Sequence, residues 1–157
     1  MEMIVYRNGV PHICYYDAED AEKIAAFQWH IVTDKTRDTL YLRSTKQTGA
    51  ISFHRLVMGF PEEDLDHRDG NGLNNQKDNL RPTTHQKNCF NRRKRIGQYT
   101  SPYKGVCFRI KTNRWLTQLN GKHVGSYATE LEAAQAYNIA ASAAHGEFAL
   151  LNTIGGV

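Results

Sequence analysis

The sequence predicts an α+β protein of two small modules in tandem, and three observations carry that expectation. Its apolar runs are short and strand-like and are separated by Gly, Asn and Asp turn signals. A polar, asparagine-rich loop lies between two such runs and leads into a short helical segment. Near the carboxyl end, three closely spaced strand-like runs precede an alanine-rich helix. With 157 residues the chain has room for one or two domains of roughly 100 to 150 residues, which excludes a large multidomain enzyme.

Taken in order, MIVYRN and HICYY read as strands. Asp17 is a plausible N-cap for a helix in which Ala21, Ile24, Ala25 and Gln28 give the apolar spacing, ending near Trp29. TLYLRS is a further strand, and AISFHRLVMG a strand passing into a short helix at His54. Residues 1–50 read as a supporting layer with no chemistry of their own, Trp29 and Tyr41 being packing residues. From Asp64 to Asn91 the residue types change to Asp, His, Asn and Gly. DHRDGNGLNNQKDN cannot bury an apolar face and is a loop held by its own side chains or by a ligand. NLRPTT is then a short strand, and Thr84 caps a helix through THQKNCFNRRK.

RRKRIGQYTSP combines a charge run with Gly, Ser and Pro and marks the boundary, giving modules 1–95 and 96–157. Beyond it, YKGVCFRI, RWLTQL and KHVGSYA, with TN and NGK between them, form an antiparallel meander. Thr129 and Glu132 make a capping box for EAAQAYNIAASAAH, which Gly146 ends.

At 40% hydrophobic and 23% charged, with apolar stretches such as AASAA and FALL far below the roughly 20 residues of a membrane span, the chain is expected to be soluble, with no membrane partner. MEMIVYRNG has no basic region leading into an apolar core, so no secretory signal is expected. Cys14, Cys89 and Cys107 form no CxxC pair, which fits reduced thiols in the cytoplasm and argues against cysteine-ligated zinc.

The net charge of +4 is mild, yet unevenly distributed. From Asn79 to Thr129 there is no Asp or Glu, while Arg81, Lys87, Arg92, Arg93, Lys94, Arg95, Lys104, Arg109, Lys111, Arg114 and Lys122 all fall there. Tyr99, Tyr103, Phe108 and Trp115 are interleaved with them. A single run such as RRKR is often only a solvated face; an acid-free stretch of this length favours nucleic acid.

Asp66, His67, Asn79 and Asn88 are the candidate catalytic group, if strand, loop, strand and helix bring them into one cleft. Asp66 offers a carboxylate oxygen and Asn88 an amide oxygen, a hard, low-charge pair suited to Mg²⁺ or Mn²⁺. His67, pointing to the opposite face from Asp66 on an extended segment, is the candidate base for an attacking water. Asn79 is expected to orient its imidazole. Each residue alone has an ordinary structural reading as part of a turn.

In HRLVMG, DHRDGNGLNNQKDNLR and NCFN, over residues 51–92, the sequence resembles the HNH family of nucleases in its Asp-His, Asn, Asn phage-type variant. The resemblance implies a ββα-metal fold, with Asp66 and Asn88 as metal ligands, His67 as general base and Asn79 as its orienter. It places His54 and Arg55 at the family's upstream His-Arg pair, for phosphate contact or packing. Asn88 stands where many members have His.

The run from SPYKGV to GEFALLN, residues 101–152, resembles DNA-binding domains of the APETALA and ethylene-response-factor type, through YKGV, RW, NGK, GSY, ELEAAQAYN and GEFALLN. That resemblance implies a sheet entering the major groove with the helix behind it. Arg109, Lys111, Arg114, Trp115 and Gln118 are the candidates for the DNA side, although Trp115 equally suits packing under the helix. Arg92 and Arg93 are further DNA-binding candidates. Between Trp115 and Val124 the sheet is a few residues shorter than in most relatives.

Together these readings imply a metal-dependent endonuclease acting on duplex DNA, as a monomer or homodimer, with no obligate protein partner. The module pairing resembles phage-encoded and homing endonucleases. The alternative is a non-catalytic DNA-binding regulator that keeps the nuclease fold as a scaffold. An RNA-binding role is weaker, because neither module displays an RNP-like aromatic sheet.

Overall fold

The structure, a computed structural model, describes residues 1–36, 38–46 and 49–155. It divides into two compact units, Met1–Cys89 and Phe90–Val157, so the division falls a few residues before the boundary read from the charge run. It is a mixed α+β protein of small antiparallel sheets and few helices, as expected. No described helix is long and apolar enough to cross a membrane.

The first unit starts with the hairpin β1 (Glu2–Arg7) and β2 (Val10–Tyr15). Asn8 and Gly9, both at positive φ, make the two-residue turn that the right-handed strand twist favours. A 3-10 turn (Ala18–Asp20) and a helix of only five residues, α1 (Ala21–Ala25), follow. The helix is shorter than the apolar spacing suggested, because Trp29 turns back into the core: its Nε1 donates to the Ile24 carbonyl at 3.0 Å and its ring lies 4.6 Å from that of Phe53. Asp17 does not cap it with its side chain. A three-stranded sheet comes next, β3 (His30–Asp34), β4 (Thr39–Lys46) and β5 (Gly49–Ser52), in that spatial order, and β5 runs directly into α2 (Phe53–Val57).

The polar segment folds as strand, loop, strand, helix. β6 (Asp64–His67) pairs antiparallel with β7 (Leu80–Thr83), setting Asp66 opposite Arg81 and His67 opposite Leu80. The helix α3 (His85–Phe90) takes Thr84 as its cap, whose hydroxyl accepts from the Lys87 N–H, and stops just short of the charge run into which the sequence expectation carries it. One core serves the whole unit: Val5, Cys14, Tyr16, Ile24, Leu42, Phe53, Val57, Leu73 and Leu80 are buried together. The first fifty residues therefore supply much of the wall behind β6 and β7 rather than a separable layer.

In the second unit, β8 (Val106–Arg109), β9 (Arg114–Leu119) and β10 (Lys122–Tyr127) form the expected meander. Asn120 and Gly121, at φ 52° and 77°, close the β9–β10 hairpin. The helix α4 (Glu130–His145) starts with the capping box of Thr129 and Glu132 and packs Ala133 and Ala134 against Val106, Tyr103, Trp115 and Tyr127. The tail is bound by amides imitating backbone: Asn138 and the Asn152 main chain exchange two hydrogen bonds, while the Asn152 side chain brackets the N–H and carbonyl of Lys104.

Candidate functional site

The loop between β6 and β7 is held by its own side chains. The Asp69 carboxylate accepts from the Asn71 N–H at 2.8 Å, from Asn74 Nδ2 at 2.8 Å and from Asn79 Nδ2 at 3.0 Å. Asn71 Oδ1 accepts in turn from the Leu73 N–H. The first unit's amino-terminal part grips the same loop from outside. The Tyr15 N–H donates to Leu73 O and its carbonyl accepts from the Asn75 N–H at 2.8 Å, while the Asp17 carboxylate accepts from the Lys77 N–H at 2.7 Å. Lys77 also forms ion pairs with Glu19 and with the fully buried Asp20. At Gly72 a Cβ would overlap the Leu40 carbonyl and the Tyr41 ring, so only glycine lets the loop lie this close to β4.

Asp66 and His67 are both 6% exposed. Asp66 Oδ2 accepts two hydrogen bonds from Arg81, from Nε at 3.0 Å and Nη2 at 2.7 Å, and Arg81 is itself 4% exposed. The His67 ring lies 5.4 Å from that of His54, edge to face, and 6.0 Å from that of Tyr41. Its Nε2 is 3.2 Å from Oδ1 of Asn75, a residue with no exposed surface. Asn75 Nδ2 points the other way, to Cys14 Sγ at 3.5 Å and Gly72 O at 3.4 Å. Burial pushes the Cys14 thiol up to about 11, so it stays a neutral thiol.

Two sequence expectations are corrected here. Asn79 is not the residue on the imidazole: its Oδ1 accepts from the Asp69 N–H, and its Nδ2 donates to Asp69 and to the Asn74 carbonyl at 2.7 Å. Residues 1–50 are not silent either, since Cys14, Tyr15, Asp17 and Tyr41 all stand at the loop or the ring. Asn88 is half-buried on α3, its N–H donating to the Thr84 carbonyl, and its side chain takes no part in the Asp66–Arg81 or His67–Asn75 pairings. Arg55 donates to the carbonyls of Pro61 and Glu63, holding the turn from α2 to β6. Among the described residues no group of three or more His, Cys, Asp or Glu is arranged to hold a metal.

Burial, followed by repulsion from His67, Arg55 and Arg43, carries the His54 imidazole from 6.5 down to about 3. His67 is also lowered, by burial first, against the opposing pull of Asn75, Asp69 and Asp66. Both rings are thus neutral at pH 7, and both take up protons more readily when the chain unfolds. Their contribution to stability is complete above the unfolded value of 6.5 and is lost as pH falls below it, by up to about 1.4 kcal/mol per pH unit for each ring. The urea midpoint is expected to be lower at pH 5.0 than at pH 7.5, with a smaller drop in His54→Gln. Equal midpoints at the two pH values would contradict the neutral pair.

In the second unit the faces of the sheet are assigned by what α4 covers. Thr117 Oγ1 donates to Ala133 O, and Val106 and Trp115 pack against the same helix. Side chains alternate along a strand, so Arg114 and Gln118 lie on the opposite, outer face, as does Arg109, which pairs with Arg114. Trp115 is a correction: it belongs to the helix face, its ring 5.0 Å from that of Phe108. Lys111 is exposed, but on the 3-10 turn Ile110–Thr112 rather than on a strand. An irregularity between His123 and Gly125 resets the β9–β10 register near the hairpin. Arg92 is half-buried and Arg93 exposed.

A buried Asp-His dyad on the first strand of a strand, loop, strand, helix unit is the type of site that the HNH resemblance implies. The chain is 38% identical over 117 residues to a protein of Acanthamoeba polyphaga mimivirus named as an uncharacterized HNH endonuclease, a match covering 68% of this chain and 59% of the relative. The match supports an HNH family for the chain, which spans less than two thirds of that relative's length. No protein-family model and no solved structure matches the chain.

Proposed function

We propose that the chain is a DNA endonuclease that hydrolyses phosphodiester bonds in duplex DNA, its first unit a ββα-metal nuclease module and its second a DNA-binding module of the APETALA and ethylene-response-factor type. The observation carrying this reading is the His67 imidazole, buried, lowered toward its neutral form and with Nε2 3.2 Å from Asn75 Oδ1, beside Asp66 on β6. The HNH name of the mimivirus relative supports it. A neutral, oriented imidazole is suited to take a proton from water attacking phosphorus in line. The P–O3′ bond breaks, leaving 5′-phosphate and 3′-hydroxyl ends.

Asp66 and Asn88 supply the hard oxygen donors that fit Mg²⁺ or Mn²⁺, and Asp66 Oδ2 is held by Arg81. A divalent cation held there would supply charge stabilisation at phosphorus and at the departing 3′ oxygen. The outer face of the second unit's sheet, with Arg109, Arg114 and Gln118, is proposed to meet DNA, Lys111, Arg92 and Arg93 adding phosphate contacts. His54, neutral beside His67, can donate a hydrogen bond to a phosphate oxygen without adding charge.

One observation favours a second reading, a DNA-binding regulator that retains the nuclease fold: the Asp66 carboxylate is already engaged by buried Arg81. Incubation of supercoiled plasmid with the protein in Mg²⁺ or Mn²⁺, beside EDTA, separates the two. Nicked or linear product that vanishes in EDTA is the expected result. Intact plasmid across several DNAs, with gel-shift binding preserved, would establish the regulator instead.

A further inference from the structure

The hairpin of β1 and β2 buries one face and leaves the other uncovered. Side chains alternate along a strand, so Val5 and Cys14 enter the core while Ile4, Tyr6, Pro11 and Ile13 turn outward. Ile4 lies opposite Ile13 and Tyr6 opposite Pro11, which makes the four a contiguous patch. Ile4 is 57% exposed, Tyr6 67% and Ile13 46%, and Pro11 is exposed as well. A half-buried hairpin ordinarily turns polar side chains to water. Here the only charged side chain in the outer row is Glu2, at its end.

The chemistry of the patch selects what covers it. Its centre has no cation to hold a phosphate backbone. Residues 1–89 carry 11 basic against 13 acidic residues, so this unit does not share the positive charge of the rest of the chain, and two copies of it meet without strong repulsion. Four side chains at these exposures give a patch of about 400 Å², a size at which surface patches are often functional. Two such patches with their rims reach the roughly 1,000 Å² that a specific interface requires. The two ends of the patch carry opposite charge, since Glu2 opens β1 and Arg7 closes it. A partner related by a two-fold axis across the strands brings Glu2 of each copy to Arg7 of the other, whereas a partner with strands running the same way would set like charges together.

We propose that the outer face of β1 and β2 is a dimer interface, on which a second copy of this chain packs face to face with its strands reversed. Ile4, Tyr6 and Ile13 form its centre, and Glu2 and Arg7 its rim. The association stands on the patch alone. Such a dimer holds two His67 sites, the number needed to cut both strands of a duplex, and that use of it rests on the nuclease reading.

Sedimentation equilibrium of the full chain over about 1–100 µM brackets the Kd on the order of 10 µM expected of an interface near the lower size limit. The wild type should pass from monomer to dimer across that range. Ile4→Thr combined with Ile13→Thr keeps β-branched side chains on the strands. It should weaken the association by about 30-fold or more, the scale of central interface residues, with the far-UV circular dichroism unchanged. Glu2→Arg and Arg7→Glu should each weaken self-association by about 2- to 5-fold. An equimolar mixture of those two variants should recover the wild-type affinity as heterodimers, because both charge pairs are then restored in the opposite sense. A wild type that stays monomeric to the top of the range overturns the proposal, as does a folded threonine variant that dimerises like the wild type. A mixture of the charge variants that associates no better than either alone overturns it too, whether or not the threonine variant folds. If the chain dimerises as expected and plasmid stays intact in Mg²⁺ and Mn²⁺, the dimer stands and the nuclease reading falls.

Discussion

Replacing His67 with glutamine is expected to lower plasmid cleavage by about 10²- to 10⁴-fold, the usual contribution of a positioned general base, while gel-shift binding to duplex DNA persists. Glutamine is the more informative substitution because it offers an N–H in place of the ring donor. Alanine would leave the buried Asn75 carbonyl oxygen without a partner, a penalty of about 1–3 kcal/mol, and would confuse lost chemistry with lost structure. Binding is carried in this reading by the outer face of β8 and β9, where Arg109 and Arg114 sit on paired positions, in a unit separate from His67. Cleavage by His67→Gln within a few-fold of wild type would remove His67 from the mechanism.

The largest effect on stability is expected at Arg81. Removing one partner of a buried ion pair strands the other, and such changes typically destabilise by about 3–5 kcal/mol. Asp66 and Arg81 meet that description, at 6% and 4% exposure with two hydrogen bonds between them. Arg81→Met should therefore lower the urea midpoint sharply. The double variant Asp66→Leu with Arg81→Met should recover much of the loss, since no charge is then left buried without a partner. A single variant within about 1 kcal/mol of wild type would mean that the Asp66 carboxylate finds other compensation. Because Arg81 clamps Asp66, which is the proposed cation ligand, the same single variant read in the cleavage assay reports whether the clamp assists or restrains the site.

Legibility in the sequence followed the range of the interactions. The β9–β10 hairpin and the capping box at Thr129 depend on residues within three positions of each other, and both are present as read. The α1 helix is shorter than its apolar spacing predicts because that spacing, through Gln28, is local, whereas the pull of Phe53 on Trp29 is not. Asp17 has the residue type and place of an N-cap, yet its carboxylate serves the Lys77 N–H, sixty positions away. Within the loop, composition identified a self-bonded, polar segment but could not rank its asparagines. Asn75 and Asn79 have the same side chain, and only the approach of Tyr15, Gly72 and Cys14 distinguishes the one that meets His67. Trp115 was recoverable: in RWLTQL it is out of step with Arg114 and Gln118, so it cannot share their face of a strand.

The grip of Tyr15 on both sides of Asn74 also bears on how the site comes into being. Its partners at Leu73 and Asn75 lie nearly sixty residues further along the chain, so the contacts that organise the loop close late, after a long and entropically costly loop has formed. The stretch from residue 51 to 92 that carries the family's signature is consequently not a transplantable cassette. Grafted onto another scaffold, or produced without the first hairpin, it would keep every residue of the motif and lose the strand edge against which the motif is shaped. Recombination within this family would have to carry β1 and β2 along with the signature, which makes the first hairpin as much a part of the site's heredity as the Asp-His dyad.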